Sequence, residues 1–152
     1  MTVKNAGFED MNQAGRIMAR SFRASFGDLV SKQTMDACAQ EDSCIALLEG
    51  IFLEGKVHFL LGESSGMLAW QQTEEGAEII ALHTLPESHG TGLGAALLTE
   101  AMNRIGPQRV FLWTFQKNAR ARRFYEKHGF SWDGSERVSE FDGAVEVRYV
   151  KG

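Results

Sequence analysis

Three apolar runs, Val57 to Gly62, Met67 to Gln72 and Ala77 to Thr84, follow one another with links of only four residues. The links Glu63-Ser64-Ser65-Gly66 and Thr73-Glu74-Glu75-Gly76 can reverse a chain, but a parallel crossover needs a dozen residues or more. The spacing predicts an antiparallel meander and excludes a doubly wound parallel sheet. Upstream the period is helical. A short strand over Thr2 to Gly7 precedes a helix capped by Asp10, whose positions Met11, Ala14, Ile17, Met18 and Phe22 share one stripe. Further helices are predicted near Ser31 to Gln40 and Ser43 to Leu53.

The second half alternates differently. A glycine-rich loop leads into a helix from about Thr91 to Ile105, and Gly106-Pro107 ends it. Arg109 to Phe115 is predicted as a buried strand and Asn118 to His128 as a helix. Gly129 suits the left-handed position beyond that helix. Strands around Ser131 to Ser139 and Val145 to Val150 pair through Asp142-Gly143. The expected class is mixed α/β: a mostly antiparallel central sheet flanked by helices, with one strand–helix–strand crossover.

At 152 residues, with no linker or repeat, the chain is expected to form one domain over 1–152. Its longest apolar stretches are about five residues, far below the ~18–20 that span a bilayer. Met1 to Ala6 lacks the apolar core of a secretory signal, which makes the cytoplasm the expected compartment and gives no role for a membrane. A net charge of −4 argues against a general nucleic-acid binder. Cys38 and Cys44 form neither a disulfide framework nor a metal-ligand pattern, so free thiols are expected and no metal is called for.

Sixteen glycines is a high count, and three of them stand at alternate positions in His89-Gly90-Thr91-Gly92-Leu93-Gly94-Ala95. Such a loop brings bare backbone N–H groups, and the positive end of the following helix, toward an anion; plain turns also use glycine. A P-loop needs Lys and Ser/Thr after the last glycine, where this chain has Ala95-Ala96. Gly90-x-Gly92-x-x-Ala95 fits the dinucleotide pattern on paper. Its context does not: Pro86 interrupts the approach, and no acid follows in Val110 to Lys117.

The loop is similar to the Arg/Gln-x-x-Gly-x-Gly pyrophosphate loop of the GCN5-related N-acetyltransferase (GNAT) superfamily, with His89 where that family carries Arg or Gln. The stretch from Asn118 to Phe130, with its Phe124-Tyr125-Glu126-Lys127 and Gly129-Phe130, resembles the family's second block. The resemblance covers about Glu78 to Phe130. It implies an acetyl-CoA-dependent transfer of acetyl to a primary amine, carried by a small molecule or a peptide, by direct attack within a ternary complex. It also implies two splayed middle strands, one ending near Thr84 and the other beginning near Arg109. The pantetheine arm would then meet the backbone edge at Leu82, His83 and Thr84, and the pyrophosphate would rest on the amides of Gly90, Thr91, Gly92, Leu93, Gly94 and Ala95. A non-catalytic acyl-CoA sensor on the same fold stays open, as does a homodimer.

Tyr125 lies seven residues after Asn118, nearly two helical turns, so both project from one face. The resemblance makes Tyr125 the general acid, since a phenol of ordinary pKa near ~10 stays protonated at neutral pH. Asn118 caps the helix, contacts the cofactor arm, or does both. Glu78 and His83 are the candidate bases, and strict alternation along a strand puts them on opposite faces. Arg120, Arg122, Arg123 and Lys127 offer cations for the 3′-phosphate. Phe22, Phe26 and Asp28 fall where the family's first helices border the acceptor.

Overall fold

The computed structural model describes residues 1–152. One seven-stranded sheet carries strands β1 (Val3–Asn5), β2 (Val57–Gly62), β3 (Gly66–Thr73), β4 (Gly76–Thr84), β5 (Val110–Phe115), β6 (Ser131–Val138) and β7 (Val145–Lys151). Their order across the sheet is β1-β2-β3-β4-β5-β7-β6. The meander forms as the short links require, and β4–β5 is the single parallel pair. Helices α1 (Met11–Phe26), α2 (Lys32–Cys38), α3 (Glu41–Glu54), α4 (Leu93–Ile105) and α5 (Ala119–Lys127) cover the two faces.

The amphipathic stripes determine which face each helix covers. Leu93, Leu97, Leu98, Ala101 and Ile105 bury the apolar side of α4 in a core with Leu60, Leu68, Val110 and Tyr149. On the opposite face, Met11, Ala14 and Ile17 of α1 and Leu48 of α3 pack on Phe59, Leu61, Met67 and Ala69. Each fully buried leucine of this kind stabilises the fold by ~1.5–3 kcal/mol. Gly15 sets the distance between α1 and α3, because a Cβ there would stand 2.6–2.7 Å from side-chain and backbone atoms of Ile45. A third, smaller cluster joins Phe22, Val30, Met35 and Ala39, with Phe141 from the loop between β6 and β7 packed against it.

Two local features differ from the sequence reading. Asp10 does not cap α1 with its side chain; its carboxylate instead accepts the Gly7 N–H at 2.9 Å and closes a 3-10 turn over Phe8–Asp10. The register of β3 against β4 shifts between Ala69 and Trp70, so that Ala81 pairs with Ala69 while Ile79 pairs with Trp70. Ile80 is the extra residue of this β-bulge. One skipped step reverses the alternation, and Glu78 and His83 consequently lie on the same face of β4, opposite Gln71 and Met67. The other local expectations hold: Cys38 and Cys44 are free thiols, and Asp142 and Gly143, both at positive φ, form the hairpin turn closed by Ala144 N–H to the Phe141 carbonyl.

Candidate active site

The β4–β5 ladder has three pairs, ending at Ile79 with Leu112. The bulge at Ile80 and the 3-10 turn at Pro86–Ser88 carry β4 away from β5, and the strands diverge. A cleft of about 410 Å³ opens at the divergence. Leu82, His83 and Thr84 line one wall, where β4 has no neighbour on its β5 side.

The second wall is the glycine loop. Gly90 and Gly92 adopt φ of +79° and +89°, values that side-chain-bearing residues rarely tolerate. Gly92 is the N-cap of α4 and has no side chain to offer, so the amides of the first turn have no partner within the helix. His89, Gly90, Gly92, Leu93, Gly94 and Ala95 all line the cleft, and Thr91 does not. The Thr91 hydroxyl instead donates to the Ser88 carbonyl at 2.6 Å, within the loop.

The third wall is α5. Asn118 accepts the Ala121 N–H at 3.1 Å, which caps the helix, and its side chain borders the cleft. Tyr125 is 8% exposed, and its hydroxyl opens to the cleft without a protein partner. Burial pushes its pKa up, which keeps the phenol protonated. Behind it, Tyr149 donates to Glu126 at 2.7 Å and accepts from Arg122 Nε at 2.8 Å, fastening α5 to β7.

Arg120 Nη1 donates to His89 Nδ1 at 2.6 Å, across the mouth from the loop. Burial and the neighbouring Arg120 both hold the His89 pKa below its ordinary value. Lys127 and His128 add to the lining, which contains no Asp or Glu. In a chain of net charge −4, Arg120 and Lys127 give this cleft a positive lining.

Ser21, Ser25 and Phe26 of α1 close the inner end. His83 Nδ1 lies 3.1 Å from Ser21 Oγ, and the Phe26 ring stands edge-on to the imidazole with centroids 6.5 Å apart. Burial lowers the His83 pKa to about 4. Glu78 shares the face of His83 but lies outside the cleft, holding the Gln71 amide at 3.2 Å. Phe22 is in the third core cluster, and Asp28 does not line the cleft. Sequence reasoning missed Ser21 and Ser25. Their only signal was a pair of hydroxyls, four residues apart, on an otherwise apolar helix face.

The model of the acetyltransferase (GNAT) family matches residues 12–130. The chain belongs to that family. An uncharacterized N-acetyltransferase of Mycobacterium tuberculosis is 42% identical over 65 residues, which are 41% of this chain and 42% of the relative. A probable N-acetyltransferase of the same organism is 39% identical over 57 residues, 38% of this chain and 33% of the relative. The matches therefore span less than half the length of these curated relatives. Among solved structures, the PaiA N-acetyltransferase of Thermoplasma acidophilum, in complex with coenzyme A, superposes with a TM-score of 0.80 over 99% of both chains at 19% identity. A ribosomal-protein-alanine N-acetyltransferase of Brucella melitensis gives 0.73, again over 99% of both chains, at 15% identity. At such identities the likeness is one of fold, and the GNAT fold is what this chain has.

Proposed function

We propose that the protein transfers an acetyl group from acetyl-CoA to a primary amine. The observation that carries this reading is one continuous cleft: unpaired amides and Arg120 at the outer end, and the unpaired Tyr125 hydroxyl further in. The outer end fits a diphosphate, since N–H groups of a glycine loop, a helix N-terminus and a guanidinium all favour negative charge. The unpaired edge of β4 at Leu82 to Thr84 fits the amide-bearing arm of the coenzyme. The coenzyme A complex of the PaiA structure supports the same assignment.

The amine nitrogen forms a bond to the thioester carbon, and the carbonyl pair shifts to oxygen. On collapse the carbon–sulfur bond breaks, and Tyr125 gives its proton to the departing sulfur. Holding both reactants side by side supplies much of the rate advantage. His83 is the titratable group at the inner end, and its low pKa makes it a poor base for an alkylammonium. The amine therefore enters neutral and releases its surplus proton to water. Glu78, outside the cleft, could act only through intervening water.

A panel of amines assayed with acetyl-CoA for free-thiol release tests the reading, with thermal shifts in acetyl-CoA, CoA and NAD beside it. Amine-dependent thiol release together with stabilisation by acetyl-CoA is expected. Stabilisation without release by any amine would favour an acyl-CoA sensor, and stabilisation by NAD alone would refute both.

A further inference from the structure

Ser21 is 4% exposed, and the one hydrogen-bond partner of its hydroxyl is Nδ1 of His83. A buried hydroxyl that donates to nothing forfeits the free energy of a hydrogen bond. The assignment that spends the Ser21 proton has Oγ–H donating to Nδ1, which leaves Nδ1 carrying a lone pair. A neutral imidazole then bears its single proton on Nε2. That nitrogen has no partner in the protein and is not among the buried unpartnered atoms, so it is reached from the cleft. Phe26 packs edge-on against the ring and limits its rotation.

We propose that Ser21 fixes His83 as the Nε2–H tautomer, and that His83 serves acetyl transfer as a neutral hydrogen-bond donor to the thioester oxygen rather than as a proton acceptor. The inference rests on the acetyltransferase reading of the cleft. As the nitrogen–carbon bond forms, the carbonyl π pair moves onto oxygen, and the His83 N–H binds the oxyanion. As the carbon–sulfur bond breaks, that pair returns to carbon and the sulfur takes the Tyr125 proton. His83 keeps its own proton from start to finish. A neutral donor aimed in advance at developing charge needs no reorganisation at the moment of reaction, which is where such donors gain their effect. The depressed pKa keeps the ring in this neutral form at physiological pH. Ser21 acts through His83 and is a positioning residue.

The tautomer is read directly from long-range ¹H–¹⁵N correlations of histidine-labelled protein, which require no substrate and no activity. A protonated Nε2 with a hydrogen-bonded, unprotonated Nδ1 is expected for His83. Ser21→Ala should move both ring-nitrogen shifts toward tautomer averaging, and Ser21→Thr should restore the wild-type signature. In steady-state assays His83→Ala should lower kcat about 100-fold, the scale for losing one oxyanion donor. His83→Gln keeps an N–H but no basic nitrogen, and should retain at least about a tenth of the wild-type rate, the deficit of one imperfect hydrogen bond. A proton on Nδ1, ring shifts unmoved by Ser21→Ala, or equal loss in His83→Gln and His83→Ala would each overturn the proposal. Absence of acetyl transfer in the wild type would instead refute the acetyltransferase reading and leave the tautomer result standing.

Discussion

Arg120 Nη1 stands 2.6 Å from Nδ1 of His89, so a guanidinium on α5 reaches across to the first residue of the glycine loop. The loop itself has no permanent cation at that position, and Arg120 supplies one from the neighbouring helix. Arg120→Ala should therefore weaken acetyl-CoA binding about 10-fold, equivalent to ~1.4 kcal/mol for one charged contact to phosphate. Calorimetric titration at two salt concentrations checks this: the variant's affinity should also depend less on salt.

Tyr125→Phe removes the proposed proton donor and leaves the packing of α5 intact. Turnover should fall by about 10²-fold or more, the usual scale for losing a general acid. The acetyl-CoA dissociation constant should stay within about 2-fold, since a single exposed-to-cleft hydroxyl adds little uniform binding. Single-turnover kinetics beside equilibrium binding separates the two quantities.

Two glycines should respond in opposite ways. Gly92 holds φ of +89° at the head of α4, so Gly92→Val strains the loop and should abolish stabilisation by acetyl-CoA. Gly50 lies within α3, where a Cβ would meet nothing within 4 Å. Gly50→Ala should raise stability by ~0.5–1 kcal/mol through helix propensity alone. Thermal melts with and without acetyl-CoA check both.

His83 couples stability to pH. Its folded pKa of about 4 lies below the ordinary ~6.5, so the unfolded chain binds the proton more readily. No penalty exists above pH ~6.5; it grows as pH falls and is complete below pH ~4, at up to ~3 kcal/mol. Denaturant melts from pH 7 to 4 should show this loss in the wild type, and His83→Gln should lose less over the same window.

The meander, the crossover and the glycine loop were legible because each is a local pattern: period-two runs with four-residue links, and glycines where φ must be positive. That Tyr125 and Asn118 would border one cleft was legible for the same reason, from their spacing of seven along one helical stretch. The common face of Glu78 and His83 was not, because the bulge at Ile80 depends on the register with β3 and leaves no mark in the β4 sequence. Ser21 was hidden among helix positions until the fold brought His83 to it from 62 residues away. The same holds for Asp142, whose carboxylate takes hydrogen bonds from Ser31 and Thr34 and ties the β6–β7 turn to the start of α2. Such pairings belong to tertiary structure alone.

A crystal structure of the protein with acetyl-CoA tests the central claim most directly. The diphosphate should lie on the amides of Gly90 and of Gly92 to Ala95, with Arg120 beside it, and the thioester sulfur within hydrogen-bond distance of the Tyr125 hydroxyl. A coenzyme tail running outside the space between β4 and β5, or a Tyr125 hydroxyl turned away from the sulfur, would contradict it.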